Sequence, residues 1–122
     1  MDSRNKYDGY RVQPHVDGAT RIFTRNGHDW TKRFSAIAGA FRLRSQTISD
    51  GEVVVVHGGG TNFSELQAGL AKGRQDRMLF YAFDILFHNG TDLRGTPQLR
   101  RRELLKELID MLEPPILYKR AL

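Results

Sequence analysis

A chain of 122 residues and 14.0 kDa, 39% of it hydrophobic, is long enough for one hydrophobic core and is expected to fold as one domain or part of one. The absence of cysteine excludes disulfides, zinc–cysteine centres and a thiol nucleophile, and no apolar run reaches the length of a membrane span. A formal net charge of +5, with a pI near 9.9, favours polyanionic partners, and a cytoplasmic protein without membrane contact is expected.

The chain opens on Lys6-Tyr7-Asp8-Gly9-Tyr10-Arg11, which sets an amine and a guanidinium around an Asp-Gly turn pair. A lysine becomes a nucleophile when a desolvated pocket or a neighbouring cation favours the neutral amine. Arginine is a planar fork suited to phosphates and ribose oxygens. On these residues alone, a surface hairpin with a solvated lysine is the preferred reading.

Tyr10 to Val16 alternates loosely, with Val12 and Val16 on the face of Tyr10 and Pro14. Proline cannot donate to a ladder, so an edge strand or a bulge is predicted there. Asp17-Gly18 marks a hairpin, 19–24 the returning strand, and Asn26-Gly27 the next turn. Phe34, Ile37, Ala38 and Phe41 recur at helical spacing after Thr31, a candidate N-cap.

Asp50-Gly51-Glu52 reads as a turn opening Val53 to Val56, a β-branched strand buried on both faces. Gly58-Gly59-Gly60 ends that strand as a flexible turn; it lacks the Gly-Lys-Ser/Thr ending of a phosphate loop. A helix is predicted from about Asn62 to Ala71, with Phe63, Leu66 and Leu70 on one face and Gly73 as its stop. Met78 to Phe87 reads as a central strand whose single charge is Asp84, closed by the turn Asn89-Gly90. Thr96-Pro97 starts a helix to about Leu112 that buries Leu104, Leu105, Leu108 and Ile109 and exposes its arginines. Glu113-Pro114-Pro115 stops it before another strand at Ile116 to Tyr118. The pattern is α+β, with mainly antiparallel strands and about three helices.

His15, His28, His57 and His88 sit at or beside turns without metal-ligand spacing and read as solvated imidazoles. Glu52 and Asp84 are costly carboxylates in apolar strands and need a ligand or a partner. Phe80, Tyr81, Phe83 and Phe87 could offer a face to a planar base, or simply fill a core.

Four stretches taken in order change the weighting: Lys6 to Arg11, Thr24-Arg25-Asn26-Gly27, Asp50-Gly51-Glu52, and Phe80-Tyr81-Ala82-Phe83-Asp84-Ile85-Leu86. Together they resemble successive motifs of the covalent nucleotidyltransferases. The similarity is greatest to ATP-dependent DNA ligases, in particular the ligase domain of the bacterial end-joining ligase D. Phe63-Ser64-Glu65-Leu66-Gln67 and Asn89 to Gly95 are similar to the same subgroup.

The resemblance implies a partial ATP-grasp-like nucleotidyltransferase domain over 1–122. Lys6 would attack the α-phosphate of ATP to form lysyl-AMP. Arg11 and Arg25 would contact phosphate and ribose oxygens, Glu52 the ribose or a divalent ion, and Phe83 the adenine. Mg²⁺ or Mn²⁺ is implied as the charge-neutralising ion. DNA, as a nicked or broken duplex held without sequence reading, is the implied partner, in strand joining for repair and recombination.

The chain departs from the family pattern where Arg4 stands in place of an adenine-directed glutamate. The later metal and lysine motifs and an OB-type domain have no counterpart in it, so full ligation by this chain alone is not expected. Completion by a separate chain and self-association both stay open. So do a non-catalytic remnant that binds nucleotide or DNA weakly, and a related RNA ligase or capping enzyme.

Overall fold

The computed structural model describes residues 9–119; Lys6 and Arg4 lie outside the described residues. The strands are β1 (Tyr10–Asp17), β2 (Ala19–Thr24), β3 (Thr47–His57), β4 (Gly60–Thr61), β5 (Met78–His88), β6 (Thr91–Asp92) and β7 (Ile116–Tyr118). The helices are α1 (Ser35–Ala40), α2 (Phe63–Lys72) and α3 (Gln98–Ile109). All strands join one sheet in the order β2-β1-β3-β5-β6, with β4 folded back on the end of β3 and β7 beside β5. Every described pairing between strands is antiparallel except β5 with β7, where α3 supplies the crossover that a parallel pair requires. The fold is α+β, as the sequence pattern predicts, and no described helix is long and apolar enough to cross a membrane.

Alternation decides which face is which. Val12, Val16, Val53, Val55, Met78, Phe80 and Ala82 point to one side and are buried. Ile37 of α1, Leu66 of α2 and Leu105, Leu108 and Ile109 of α3 complete that same core, so the described helices cover one face of the sheet. The other face carries Arg11, Asp50, Glu52 and Phe83 and is half open.

Four local expectations need correction. β1 is flanked on both sides, by β2 and β3, and is no edge strand. Its pairing with β3 lapses between Val12↔Gly51 and His15↔Ile48, which leaves the missing N–H of Pro14 in a gap of the ladder. Asp50-Gly51 is mid-strand in β3 rather than a turn. Gly51 is required there by close approach: a Cβ would overlap the Tyr81 carbonyl oxygen and the Phe80 ring. Thr31 does not cap α1. Its hydroxyl bonds Asp29 and accepts from the Ile22 N–H, and the helix begins after Phe34 without a side-chain cap. The arginines of α3 are not all exposed, because Arg101 retains 15% side-chain exposure where it pairs with Asp84.

α2 matches its prediction. Asn62 Oδ1 accepts from the Glu65 N–H at 2.9 Å, and Gly73 closes the helix in the left-handed region.

Candidate functional site

Neighbouring strands deliver one row of side chains to the open face, because residues paired across a sheet point the same way. Arg11 of β1 stands opposite Glu52 of β3, and Glu52 stands opposite Tyr81 of β5. Asp50 shares that face by being two residues from Glu52.

Phe83 reaches the row through an irregularity. Asp50 pairs with Asp84 and the next residue, Gly51, with Ala82, so Phe83 is the extra residue of a bulge. The bulge sends neighbours to different tasks. Phe83 lies under the Arg11 guanidinium, whose carbon is 4.7 Å from the ring centroid. Asp84 instead accepts from Arg101 of α3 at 2.9 Å and from the Ile85 N–H at 2.8 Å, which answers why a carboxylate is tolerated in this strand.

Arg11 does not pair with Glu52, the residue facing it. Its guanidinium donates to Asp50 Oδ2 at 2.9 Å, while its Nε is buried with no hydrogen-bond partner among the described residues. Glu52 retains 13% side-chain exposure and has Lys119 Nζ at 3.4 Å, brought from the residue after β7. Each carboxylate of the face therefore has its own cation.

Several hollows border this row. A groove of about 490 Å³ runs from Arg11 and Asp50 along Gln13 and His15 to Phe23 and Arg25. Arg25 sits just past β2, in a turn closed by the Gly27 N–H on the Thr24 carbonyl at 2.9 Å. A second cavity, of about 270 Å³, has Glu52, Val54, Val56, Tyr81 and Lys119 among its walls. Arg11, Phe83 and Asp50 are thus in contact, Glu52 is next in the row, and Arg25 stands at the far end of the groove.

His15 and His57 are not simply solvated. His15 packs edge-on against Phe23 with ring centroids 4.7 Å apart, and burial pushes its imidazole below the ordinary value. His57 Nδ1 lies 2.8 Å from Glu65 of α2.

Two residues of the site escaped the sequence reading. Asp50 was legible in principle, since it shares strand parity with Glu52. Lys119 had no such signal, because its position depends on the register of β7 against β5 across the whole of α3.

A family model described as "ATP dependent DNA ligase domain" matches residues 3–120. The multifunctional non-homologous end joining protein LigD of Pseudomonas aeruginosa is 40% identical over 111 residues, a match covering 86% of this chain and 13% of that protein. A DNA ligase of Natronomonas pharaonis is 36% identical over 125 residues, covering 93% of this chain and 23% of its own length. The ligase domain of Mycobacterium tuberculosis LigD superposes with a TM-score of 0.77 at 33% identity, over 94% of this chain and 38% of that one. A mycobacterial DNA ligase D complexed with ATP and MES gives 0.75 at 32% identity, with the same coverage of both chains.

Proposed function

The chain belongs to the ATP-dependent DNA ligase family, and from that premise we propose that it supplies the nucleotide-binding, lysine-adenylating part of a ligase of the LigD kind. The observation that carries this reading is the convergence of Arg11, Glu52 and Phe83, from β1, β3 and β5, on the one sheet face that the described helices leave open. Phe83 offers the ring for adenine. Arg11 and Arg25 border a groove that suits ribose and phosphate oxygens, and Glu52 is an acceptor for a ribose hydroxyl.

In the proposed reaction the Lys6 amine attacks the α-phosphorus of ATP. A P–N bond forms, the bond to pyrophosphate breaks, and the amine proton leaves to solvent or base. The first described strand after Lys6 in the sequence is β1, whose first residue, Tyr10, pairs with Val53 beside Glu52.

The described residues contain no group of three or more His, Asp or Glu that could hold a metal by themselves. We therefore assign the Mg²⁺ or Mn²⁺ to the triphosphate as it arrives, held mainly by phosphate oxygens and water, with Glu52 the one carboxylate of this face that would add to it.

DNA is the proposed acceptor of the adenylate. Arg42, Arg44, Lys72, Arg74 and Arg100 are exposed and can meet a phosphate backbone without reading sequence. The chain spans 13% of the Pseudomonas LigD and 38% of the mycobacterial ligase domain, so strand sealing is proposed for the complete enzyme to which such a part contributes.

The test is covalent labelling. Incubated with α-labelled ATP and Mg²⁺ or Mn²⁺, the denatured chain should retain label, lose it with pyrophosphate, and fail to acquire it as Lys6→Ala. Label from GTP alone would overturn the DNA-ligase assignment. Normal folding with no label would leave a nucleotide-binding module without the transfer step.

A further inference from the structure

Lys119 does not belong to the motifs from which the nucleotide reading was built, yet it is held over the nucleotide row. Its backbone N–H donates to the Ala82 carbonyl at 2.8 Å, extending the β7–β5 pairing by one residue, so the main chain is fixed while the side chain is free to turn. The Lys119 side chain is 49% exposed, and its Nζ stands 3.4 Å from Glu52, whose side chain is only 13% exposed. That separation is beyond the usual range of a charge-assisted bond, so the pair is loose and exchangeable. Between Lys119 and the Gly59–Thr61 hairpin lies the cavity of about 270 Å³ walled by Glu52, Val54 and Tyr81.

Charge makes the arrangement informative. Arg11 neutralises Asp50 and Lys119 neutralises Glu52, so these four groups sum to zero while the site is empty. A triphosphate brings several negative charges into that space and needs cations turned toward it. Lysine suits the task, being a point charge on a flexible stem with three rotatable donors.

Resting on the nucleotide reading above, we propose that Lys119 is a second phosphate-binding residue of this site. It covers Glu52 in the empty state, moves its ammonium to the phosphate chain of an entering nucleoside triphosphate, and so frees Glu52 to accept a ribose hydroxyl. Glu52 and Lys119 then act as an exchange pair rather than a static salt bridge.

The experiment is calorimetric titration of the full chain with ATP and with adenosine, on wild type, Lys119→Met and Lys119→Arg. Losing one charged hydrogen bond should weaken ATP about tenfold in Lys119→Met, with adenosine changed by less than about twofold. Lys119→Arg should recover most of the ATP affinity and keep the wild-type melting temperature without nucleotide, whereas Lys119→Met, which leaves Glu52 without its cation, should melt slightly lower. Equal ATP affinity in wild type and Lys119→Met would overturn the proposal, as would an adenosine loss as large as the ATP loss. Those outcomes leave the nucleotide reading standing; a wild-type chain that binds neither compound overturns both.

Discussion

The Arg11 guanidinium covers the Phe83 ring at 4.7 Å while bonding Asp50 at 2.9 Å, so the aromatic face a base would use is already taken by a cation. On the proposed reading, an adenine stacking on Phe83 would exchange one π contact for another. Cation–π pairs at partly exposed sites are worth about 0.5–2 kcal/mol, and base-on-aromatic stacking about 1–3 kcal/mol, so the two nearly balance. Two variants separate them by titration. Phe83→Ala should weaken adenosine binding by roughly fivefold, less than a full stack, because the cation contact disappears from the free protein at the same time. Arg11→Met should weaken ATP while leaving adenosine unchanged or tighter, since the competitor for the ring is gone. Adenosine binding that falls with Arg11→Met as much as ATP binding does would show that Arg11 supports the base rather than shielding its seat.

Asp50 fixes where that guanidinium rests. Its side chain is 19% exposed and Arg11 is 33% exposed, so the pair is only partly desolvated. Asp50→Ala should cost about 1 kcal/mol of stability, toward the lower end for a charged hydrogen bond, as read from the urea midpoint. The same variant should strengthen adenosine binding if Asp50 holds Arg11 over the ring. A midpoint equal to wild type would mean that the ion pair contributes nothing net.

Glycine positions give opposite expectations on one chain. A Cβ at Gly51 would overlap both the Phe80 ring and the Tyr81 carbonyl, whereas nothing lies within 4 Å of one at Gly39 in α1. Gly51→Ala should therefore destabilise by about 3 kcal/mol or more, and Gly39→Ala should stabilise by about 0.5–1 kcal/mol. Shortening Phe80 to leucine should not rescue Gly51→Ala, because the backbone oxygen of Tyr81 stays in place. Rescue would show that the ring alone makes the glycine necessary.

What the sequence disclosed follows from the range of the forces involved. Periodicity placed the elements and their core faces: Val12 and Val16, Leu66, Phe80, Leu105 and Leu108 are buried as their spacing predicts. Local chemistry placed the Gly73 stop and the Asn89-Gly90 turn. It failed where a tertiary contact overrode a local preference. Asp50-Gly51 has turn chemistry but is drawn into β3 by packing on Phe80, and Pro14 sits in an interior strand because its ladder gap costs no hydrogen bond. Arg11, Glu52 and Phe83 could be named from motif order alone. That Arg11 would choose Asp50, and Glu52 would meet Lys119, depends on cross-strand register and on a bulge in β5 that no local pattern announces.

The Asp84–Arg101 pair ties α3 to β5 with both partners largely shielded, 22% and 15% exposed. Arg101 also donates to the Thr96 carbonyl at 2.7 Å, so the guanidinium anchors the start of the helix as well. Removing the carboxylate alone leaves a shielded cation, and Asp84→Ala should cost about 2–3 kcal/mol, somewhat below fully buried pairs. Replacing both, as Asp84→Leu with Arg101→Met, should cost clearly less than the two single changes added together. A double-mutant cycle in urea measures the coupling; additive losses would mean that the pair does not act as a unit.

His15 gives the fold a pH dependence whose sign can be worked out. Burial against Phe23 pushes its imidazole below 6.5, so the folded chain resists a proton that the unfolded chain accepts. Between those two values the unfolded state binds more protons, and stability must rise with pH. The contribution is present in full above the unfolded value and is lost as pH falls through it toward the folded one. Melting temperatures taken between about pH 7 and pH 5.5 should therefore fall for wild type, and fall less steeply for His15→Gln, which cannot take up the proton. The rest of the chain is common to both proteins, so the difference between the two curves isolates His15. Parallel curves would show that the imidazole is protonated as easily in the folded chain as in the unfolded one.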